Sequence, residues 1–320
     1  MQARRSPGPA SPRGLVCSAP TSRAGAVTGR LCGMRTRRAH PPISVVTPSL
    51  NQAEFLEATL RSVITQRYPE LEYVVIDGGS TDGSIGIIER HEADLHYWVS
   101  EPDRGHAHAL NKGFARTSGE IMCWINSSDL YYPWTFATVA EIFTRFSQID
   151  WITGTGSMFD VGGQLRFVAS SSGVNVLDIL AGDYRSIQQE SVFWRRSLWD
   201  RVGGRLDESL TYAADLDLWL RFFRHASLYH VETLLGGFRV HEDRLGKAGG
   251  DMYAREAEEL HARFVTGWDR RSLSRARLIR LIGGGKRRLI AEGLGRAGVL
   301  PWYKHPRLAF DFDRMTWVLR

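Results

Sequence analysis

The stretch WINSSDLYYP, residues 124–133, ends an apolar run with a polar cluster that holds one carboxylate, Asp129. A carboxylate at the end of a strand suits a divalent cation such as Mg²⁺, which prefers oxygen ligands. At least two hard oxygen ligands are expected at such a site, and Ser128 stands directly before Asp129. The chemistry of this stretch therefore depends on which other segments the fold brings to it.

Two further polar segments follow apolar runs. VVIDGGSTDGS (74–84) ends a predicted strand with Asp77, which can accept hydrogen bonds from a nucleobase N–H or from ribose hydroxyls. An alternative of similar weight is that Asp77 forms a turn with the glycines that follow it. EPDRG (101–105) places Asp103 and Arg104 ahead of a predicted helix, and basic side chains near a helix start suit a diphosphate.

Several other kinds of site are disfavoured. His106 and His108 stand two residues apart on a predicted helix, so they do not share a face and are not expected to form a two-histidine metal site. The chain has no GxGxxG after its first predicted strand, no P-loop motif and no GxSxG motif. These absences argue against a Rossmann dehydrogenase, a P-loop NTPase and a nucleophile elbow.

The elements that position these residues alternate between short apolar runs and helical stretches. Strands are predicted over 43–47, 72–76, 96–100 and 121–125, and helices over 54–66, from Ser84 and over 108–115. This rhythm predicts an α/β fold with a Rossmann-like, mostly parallel sheet and helices on both faces. Ligands bind at the carboxyl ends of strands in such sheets, so the polar segments 47–52, 77–84, 101–105 and 126–129 should share one rim.

The pattern changes after about residue 150. Residues 151–170 predict a hairpin with a Gly-Gly turn, and 187–204 and 212–225 predict helices. Residues 270–296 combine basic side chains with Leu and Ile. This segment is compatible with binding to an anionic membrane surface and equally with a solvated helix face that packs on the body.

Composition and charge describe a globular body with basic ends. The 320 residues are 43% hydrophobic and 11% aromatic, which is enough for a large core. The net charge is +6, but residues 1–42 carry +8 and residues 263–296 carry +8, which leaves −10 on the rest. An acidic body argues against nucleic acid as a partner.

The cysteines and the N-terminal composition bear on location. Cys17, Cys32 and Cys123 form neither a disulfide framework nor a zinc-binding spacing, which fits a reducing compartment. No apolar run approaches the roughly 18 residues that cross a bilayer. We therefore expect a cytoplasmic protein, with a peripheral position on the cytosolic membrane face as an alternative. Residues 1–42 predict a disordered tail, within which Met34 is an alternative start.

Taken together, several stretches resemble family 2 glycosyltransferases with the GT-A fold, in the nucleotide-diphospho-sugar transferase superfamily. They are residues 41–84, residues 98–129, YAADLDLWLRFF (212–223) and FRVH (238–241). The resemblance covers roughly residues 43–245. It implies inverting transfer of a sugar from a nucleotide donor, commonly a UDP-sugar, with Mg²⁺ or Mn²⁺ on the diphosphate.

The resemblance also implies which residues bind the nucleotide. Asp77 would hold the base, and Thr47 and Pro48 would line its pocket. Asp103 and Arg104 would border the same nucleotide.

Further roles carried over by the resemblance concern the metal and the diphosphate. Asp129 matches the last position of the family's Asp-x-Asp-like metal motif, and Asn126 and Ser128 would contact the donor beside it. His241 matches a histidine that some members direct at the metal or the diphosphate. Relatives usually read NSDD where this chain reads NSSD, and they usually carry aspartate where His108 stands, so two expected carboxylates are absent.

The acceptor side of the resemblance falls on Asp215, which would act as general base. Asp217, two residues further on, would point away from Asp215 on a helix and so would not share that role.

These inferences divide the chain into a tail (1–42), a GT-A domain (43–245) and a helical basic extension (246–320). Within the GT-A domain, 43–150 would bind the nucleotide-sugar and 151–245 the acceptor. The expected acceptor is a polysaccharide, a glycolipid or a lipid-linked intermediate, as in cell-wall or polysaccharide biosynthesis. The alternative is a GT-A protein that binds nucleotide-sugar with weakened catalysis. A nucleotidyltransferase is disfavoured, because TPSLNQ (47–52) has neither glycine nor a basic residue.

Overall fold

The computed structural model describes residues 40–169, 173–184, 186–241, 250–281 and 287–320. The predicted tail therefore lies outside the described residues apart from 40–42, and so do Met34, Cys17 and Cys32. The predicted boundary at residue 245 and residues 282–286 of the basic segment also lie outside them.

The first half has the predicted alternation of strands and helices. The first strand is buried along its whole length, as expected for a central strand of a parallel sheet with both faces covered. In chain order the elements are β1 (Ile43–Ser49), α1 (Ala53–Ile64), β2 (Leu71–Asp77), α2 (Ser84–Arg90), β3 (Tyr97–Ser100), α3 (His106–Phe114) and β4 (Ile121–Trp124).

The second half mixes short strands with helices. They are β5 (Leu130–Tyr131), α4 (Thr135–Arg145), β6 (Trp151–Thr153), β7 (Ser157–Phe159), β8 (Leu165–Val168), α5 (Val176–Leu180), β9 (Val192–Arg195), α6 (Arg196–Arg201), α7 (Ala214–Phe223), β10 (Leu228–Val231) and β11 (Gly236–Arg239). The predicted hairpin is confirmed, since β7 and β8 pair antiparallel. Gly163 in its turn has a φ of 78°, which favours glycine.

One predicted helix is wrong in its first part. Residues 192–195 form the strand β9, and only the following residues form the helix α6. Val192, Phe193 and Trp194 are all fully buried. A run of four residues covered on both faces has no periodicity that separates a strand from a buried helix segment, and β-branched and aromatic residues favour the strand.

The C-terminal segment contains helices and also two strands that the sequence analysis did not predict. These elements are α8 (Gly250–Thr266), α9 (Arg270–Leu281), α10 (Arg287–Arg296), β12 (Arg307–Asp311) and β13 (Thr316–Leu319). Buried Asp178 in α5 binds this segment, since its carboxylate accepts hydrogen bonds from Tyr303 and from His305 Nε2 at 2.9 Å. The segment is therefore part of the folded body.

The main sheet has nine strands in the order β13-β12-β10-β6-β9-β4-β1-β2-β3. Strand β9 runs antiparallel to β4 and β6, and β13 runs antiparallel to β12, while the other neighbours are parallel. The predicted fold class, a mostly parallel sheet flanked by helices, is confirmed. A second sheet has the order β5-β11-β7-β8.

Four tryptophans fix α7 against the main sheet. Trp124, Trp151 and Trp194 lie on three neighbouring strands, Trp219 lies on α7, and each is at most 1% exposed. The rings of Trp124 and Trp219 are stacked, with centroids 5.5 Å apart and an interplanar angle of 8°. Since residues i and i+4 share a helix side, this packing also fixes the direction of Asp215, one turn before Trp219.

Candidate functional site

A cavity of about 910 Å³ lies at the edge of the main sheet. Three of the four polar segments expected on one rim contribute to it, those that follow β1, β3 and β4. The lining residues from these segments are Pro48, Ser49, Leu50, Gln52, Asp103, Gly105, Asn126, Ser127, Ser128 and Asp129. Asp215 from α7 and His241, just after β11, complete the wall. The structure thus brings most of the predicted site residues together.

Asp77 and Thr47 are not among the residues that line this cavity. The carboxylate of Asp77 is fully buried and accepts hydrogen bonds from the backbone N–H groups of Gly79 (3.0 Å) and Ser80 (2.8 Å) and from the hydroxyls of Ser80 and Ser100. Four donors occupy the capacity of one carboxylate. The Thr47 hydroxyl lies 3.0 Å from that of Tyr73. In this arrangement Asp77 fixes the loop after β2, Thr47 joins β1 to β2, and neither side chain lines the cavity.

Asp103 lies against this loop and also lines the cavity. A Cβ at Gly78 would stand 2.8 Å from Asp103 Oδ2, so glycine leaves room for this carboxylate. Its other oxygen, Oδ1, accepts a hydrogen bond from the Gly105 backbone at 2.8 Å. Asp103 therefore places a carboxylate at the cavity from the segment after β3, next to the loop that Asp77 fixes.

Arg104 lies outside the cavity lining. It is exposed and pairs with Glu208 at 2.5 Å, while its backbone N–H donates to His108 Nδ1 at 3.1 Å. Lys112, the second basic residue of this region, pairs with Glu101 at 2.6 Å. Acidic partners thus hold both side chains away from the cavity. His108 accepts a hydrogen bond from the loop before α3.

Asp129 is fully buried at the floor of the cavity. Its Oδ1 accepts from the Arg239 backbone N–H at 2.9 Å, and its Oδ2 accepts from Asn126 Nδ2 at 3.2 Å. Burial raises the pKa of Asp129 to about 7, although these hydrogen bonds and the Arg239 charge oppose the shift. A cation near Asp129 would favour its ionised form.

Asn126 connects Asp129 to its neighbours. Its amide also donates to Gln189 Oε1 at 3.1 Å, and its Oδ1 lies 2.8 Å from His106 Nε2. Burial lowers the pKa of His106, which keeps this imidazole neutral near pH 7. The network holds Asn126 in one orientation at the end of β4.

Asp215 opens α7 and faces the cavity with partial exposure. Its Oδ1 accepts a hydrogen bond from the Leu216 backbone at 2.7 Å. The surrounding protein raises the pKa of Asp215 to about 6 by desolvation. Asp217, by contrast, accepts a hydrogen bond from Arg221 at 2.9 Å and is not part of the cavity wall. The predicted separation of these two carboxylates agrees with this geometry.

Glu190 is a further acidic residue close to Asp129 and Asp215, although it does not line the cavity, and sequence reasoning missed it. It is 3% exposed, and its Oε1 has no hydrogen-bond partner among the described residues. Its pKa is raised well above the usual value, first by burial and then by the negative charges of Asp129 and Asp215. A glutamate at the start of an apolar strand is a usable signal, but the assignment of 187–204 to a helix concealed it.

Arg239 is a second residue next to the site that sequence reasoning missed. Its guanidinium donates to the carbonyls of Ser128 and Val161, both at 2.7 Å, and stacks 5.0 Å from the centre of the Phe55 ring. It lies within the FRVH motif two residues before His241, whose ring centroid is 4.7 Å from that of Phe55. The motif therefore supports Asp129 through Arg239 and presents His241 to the cavity.

The donor set of the site fits a cation that arrives with a phosphate ligand. Within the described ranges, no group of three His, Cys, Asp or Glu residues is arranged to hold a metal ion. Mg²⁺ is commonly held by one or two carboxylates together with waters and substrate phosphates. Asp129 and His241, which both line the cavity, suit such a shared site better than a closed protein cage.

Comparison with known proteins supplies independent findings. Residues 44–151 match the family described as "Glycosyl transferase family 2". The chain is 33% identical over 183 residues to an uncharacterized glycosyltransferase of Mycobacterium tuberculosis (strain CDC 1551 / Oshkosh). The match covers 57% of this chain and 68% of that protein.

Two solved structures have a similar fold. Residues 1–349 of S. aureus TarS in complex with UDP-GlcNAc align with a TM-score of 0.59 at 17% identity, over 81% of this chain and 79% of that one. The match to a longer TarS chain covers only 45% of it. The mannosyltransferase PcManGT from Pyrobaculum calidifontis, in complex with GDP-Man and Mn²⁺, aligns with a TM-score of 0.52 at 18% identity, over 83% and 81% of the two chains.

Proposed function

The chain belongs to glycosyltransferase family 2 and has the GT-A fold, and from this premise we propose that it transfers a sugar, with inversion, from a nucleoside-diphosphate sugar to an acceptor hydroxyl. The observation that carries the proposal is that Asp129, from the segment after β4, and Asp215, from the first turn of α7, line one cavity. Inverting transfer needs a cation or a hydrogen-bonding group at the leaving diphosphate, and it needs a base at the attacking hydroxyl. Two carboxylates on different elements can serve these two ends.

For the donor we propose a UDP-sugar. Pro48, Asp103 and Asn126 line the cavity and would contact the nucleotide directly. Asp77 would act through the loop that it fixes, and Thr47 through its contact with Tyr73 in the sheet. Arg104 would approach the nucleotide from outside the cavity lining. TarS and PcManGT were solved with UDP-GlcNAc and GDP-Man, and this supports a nucleotide-sugar in the equivalent cavity.

For the diphosphate we propose Asp129 and His241 as protein ligands of Mg²⁺ or Mn²⁺, with Ser128 beside them. When bound, the metal would neutralise the negative charge that develops on the leaving diphosphate. Asp129 supplies a negative oxygen, and Arg239 holds this carboxylate in place through its backbone N–H. Asn126 orients the second carboxylate oxygen from the opposite side.

For proton transfer we propose Asp215 as the general base. With a pKa of about 6, this carboxylate is mainly ionised at neutral pH and basic enough to accept the hydroxyl proton. Partial exposure to the cavity leaves it accessible to an acceptor.

We also propose that the protein acts on a saccharide or lipid-linked acceptor at the cytosolic face of a membrane. Helix α9 carries five arginines and no acidic residue, and Leu278 and Leu281 are exposed on it, at 43% and 81%. A basic helix with exposed leucines suits an anionic bilayer surface. Over the described ranges, no helix has the length and apolarity needed to cross a membrane.

Calorimetric titration with UDP, with and without Mn²⁺, tests the proposal. Wild type should bind UDP more tightly with Mn²⁺, and Asp129→Ala should lose this metal effect while remaining folded in a thermal melt. A metal effect that persists in Asp129→Ala would remove this residue from the metal site. If Ser128→Asp alone gains metal-dependent binding, the alternative of a nucleotide-sugar-binding protein with weakened catalysis is favoured instead.

A further inference from the structure

The small sheet carries a row of apolar side chains on one face. In its register, Phe238 of β11 pairs with Met158 of β7, and Met158 pairs with Phe167 of β8. Residues that pair directly across neighbouring strands point to the same face of a sheet. We call Phe238, Met158 and Phe167 the apolar strip.

The apolar strip begins inside the cavity and ends in solvent. Phe238 and Met158 line the cavity together with Asp215, whereas Phe167 is 51% exposed and lies one strand further out. Three strands at a spacing of roughly 4.8 Å give the strip a length of about 10 Å. Each of the three strands contributes one side chain to this row, so a linear apolar chain can lie along it.

The strip and most of the polar lining reach the cavity from different sheets. The polar lining comes from the segments after β1, β3 and β4, while the strip enters from the small sheet. Val240 extends the apolar wall and is 40% exposed at the same cavity. Contiguous exposed apolar surface on a soluble protein marks an interaction site. Because this surface is continuous with the wall that holds Asp215, its ligand should reach Asp215 as well.

We propose that the apolar strip binds the apolar aglycone of the glycosyl acceptor, so that the acceptor is a glycoside with a hydrocarbon chain. The sugar hydroxyl would lie near Asp215, and the chain would pass along Phe238, Met158 and Phe167 to the outside. This inference rests on the proposed function and narrows its acceptor class. Neither a free polysaccharide nor a bilayer as a whole would need an apolar row that starts inside the cavity.

The test uses the full chain saturated with UDP and Mn²⁺ and titrated with methyl, butyl and octyl glycosides of several common hexoses. Each methylene that leaves water contributes roughly a fourfold gain in affinity, so burial of only two methylenes of the octyl chain should make octyl glycosides bind at least about tenfold more tightly than methyl glycosides. Phe167→Thr should reduce this ratio about fivefold, because the outer part of the strip is lost.

Val168→Thr is the matched control. Val168 is 45% exposed, follows Phe167 in β8, and pairs with Ser157, so it lies on the opposite face. Threonine is β-branched and suits a strand at either position. This variant should keep the wild-type dependence on chain length, and thermal melts check that both variants fold.

Several results would overturn the inference. Equal dependence on chain length in Phe167→Thr and wild type, or no dependence at all, would remove the aglycone from the strip. Binding to neutral phosphatidylcholine vesicles that needs Phe167 but no glycoside would assign the strip to a bilayer, and a Phe167-dependent dimer in sedimentation would assign it to a second copy. Failure of wild type to bind UDP would contradict the proposed function itself, and the two failures are therefore distinguishable.

Discussion

At the scale of single residues, the buried carboxyl group of Asp129 makes folding depend on pH. Its pKa is about 7 in the folded protein against an ordinary value of 3.8. A raised carboxyl pKa means that the folded state holds its proton more tightly than the unfolded state. The free energy of unfolding should therefore fall as pH rises from about 4 through about 7, and it should stay low above that range.

Asp129→Asn should weaken this dependence, because the variant has no charge to bury at this position. In EDTA, the melting temperature of wild type should fall more between pH 5 and pH 8 than that of the variant, by roughly 2–4 °C for each kcal/mol involved. Scanning calorimetry at the two pH values gives the difference. Mn²⁺ with UDP should raise the melting temperature of wild type at pH 8. If the melting temperatures of the two proteins change with pH in parallel, the raised pKa of Asp129 is contradicted.

Asp215→Asn should leave UDP affinity unchanged and lower the rate of sugar transfer by about 10²–10⁴, the usual contribution of a general base. Single-turnover assays with donor and acceptor measure the rate. Asp217→Asn is the control, because this carboxylate pairs with Arg221 outside the cavity and its loss should leave the transfer rate near that of wild type. Similar rates in both variants would rule out Asp215 as the base.

Sequence patterns placed Asp129 after a strand and Asp215 in a helix, and the structure has both arrangements. Their roles came from the resemblance to the family and stay predictions. The saturation of Asp77 was not predictable, because one of its four donors, Ser100, lies 23 residues away on another strand. Glu190 was missed because its burial depends on strands that meet only in the folded chain.

At the scale of elements, close approach of two backbones positions β11 beside Glu190. A Cβ at Gly236 would stand 2.1 Å from the carbonyl oxygen of Glu190, a distance that real atoms do not adopt. Any side chain at this position would therefore separate β11 from the segment that starts β9. Since Arg239 and His241 depend on β11, the cavity would change shape as well.

Gly236→Ala should lower the free energy of unfolding by about 1–3 kcal/mol, the usual cost of overpacking, and should weaken UDP binding. Denaturant melts and calorimetry measure the two effects. Gly86→Ala in α2 is the control, because nothing lies within 4 Å of the added Cβ. Alanine there should raise stability by about 0.5–1 kcal/mol. Equal effects of the two changes would contradict the close approach.

Element prediction succeeded where the pattern was long and local. The alternation from β1 to β4 has amphipathic helices of seven to twelve residues between strands, and each was correctly identified. Strands β9, β12 and β13 have only four or five residues. Strands β9 and β12 pair with partners distant in the sequence, and β13 pairs with β12, so the type of all three is decided by the sheet that they join.

At the scale of the whole molecule, charge is distributed unevenly, and we expect the basic helix α9 to bind an anionic membrane surface. Arg277→Glu should reduce binding to phosphatidylglycerol vesicles about tenfold or more, because each basic charge near an anionic surface contributes roughly 1 kcal/mol. Co-sedimentation at low and high salt measures the effect. Arg61→Glu makes the same change in charge on an exposed part of α1 and is the control. Equal losses of vesicle binding in both variants would indicate that the net charge of the protein, rather than a binding face on α9, drives the association.

The tryptophan cluster also gives the molecule an optical property. Trp124 lines the cavity, and its ring is stacked almost parallel on Trp219, with Trp194 and Trp151 close to the same pair. Indoles this close exchange excitation energy, so light absorbed by any of the four can be emitted or quenched at Trp124. Occupation of the cavity should therefore change the near-ultraviolet dichroism and the emission of the protein, without an added dye.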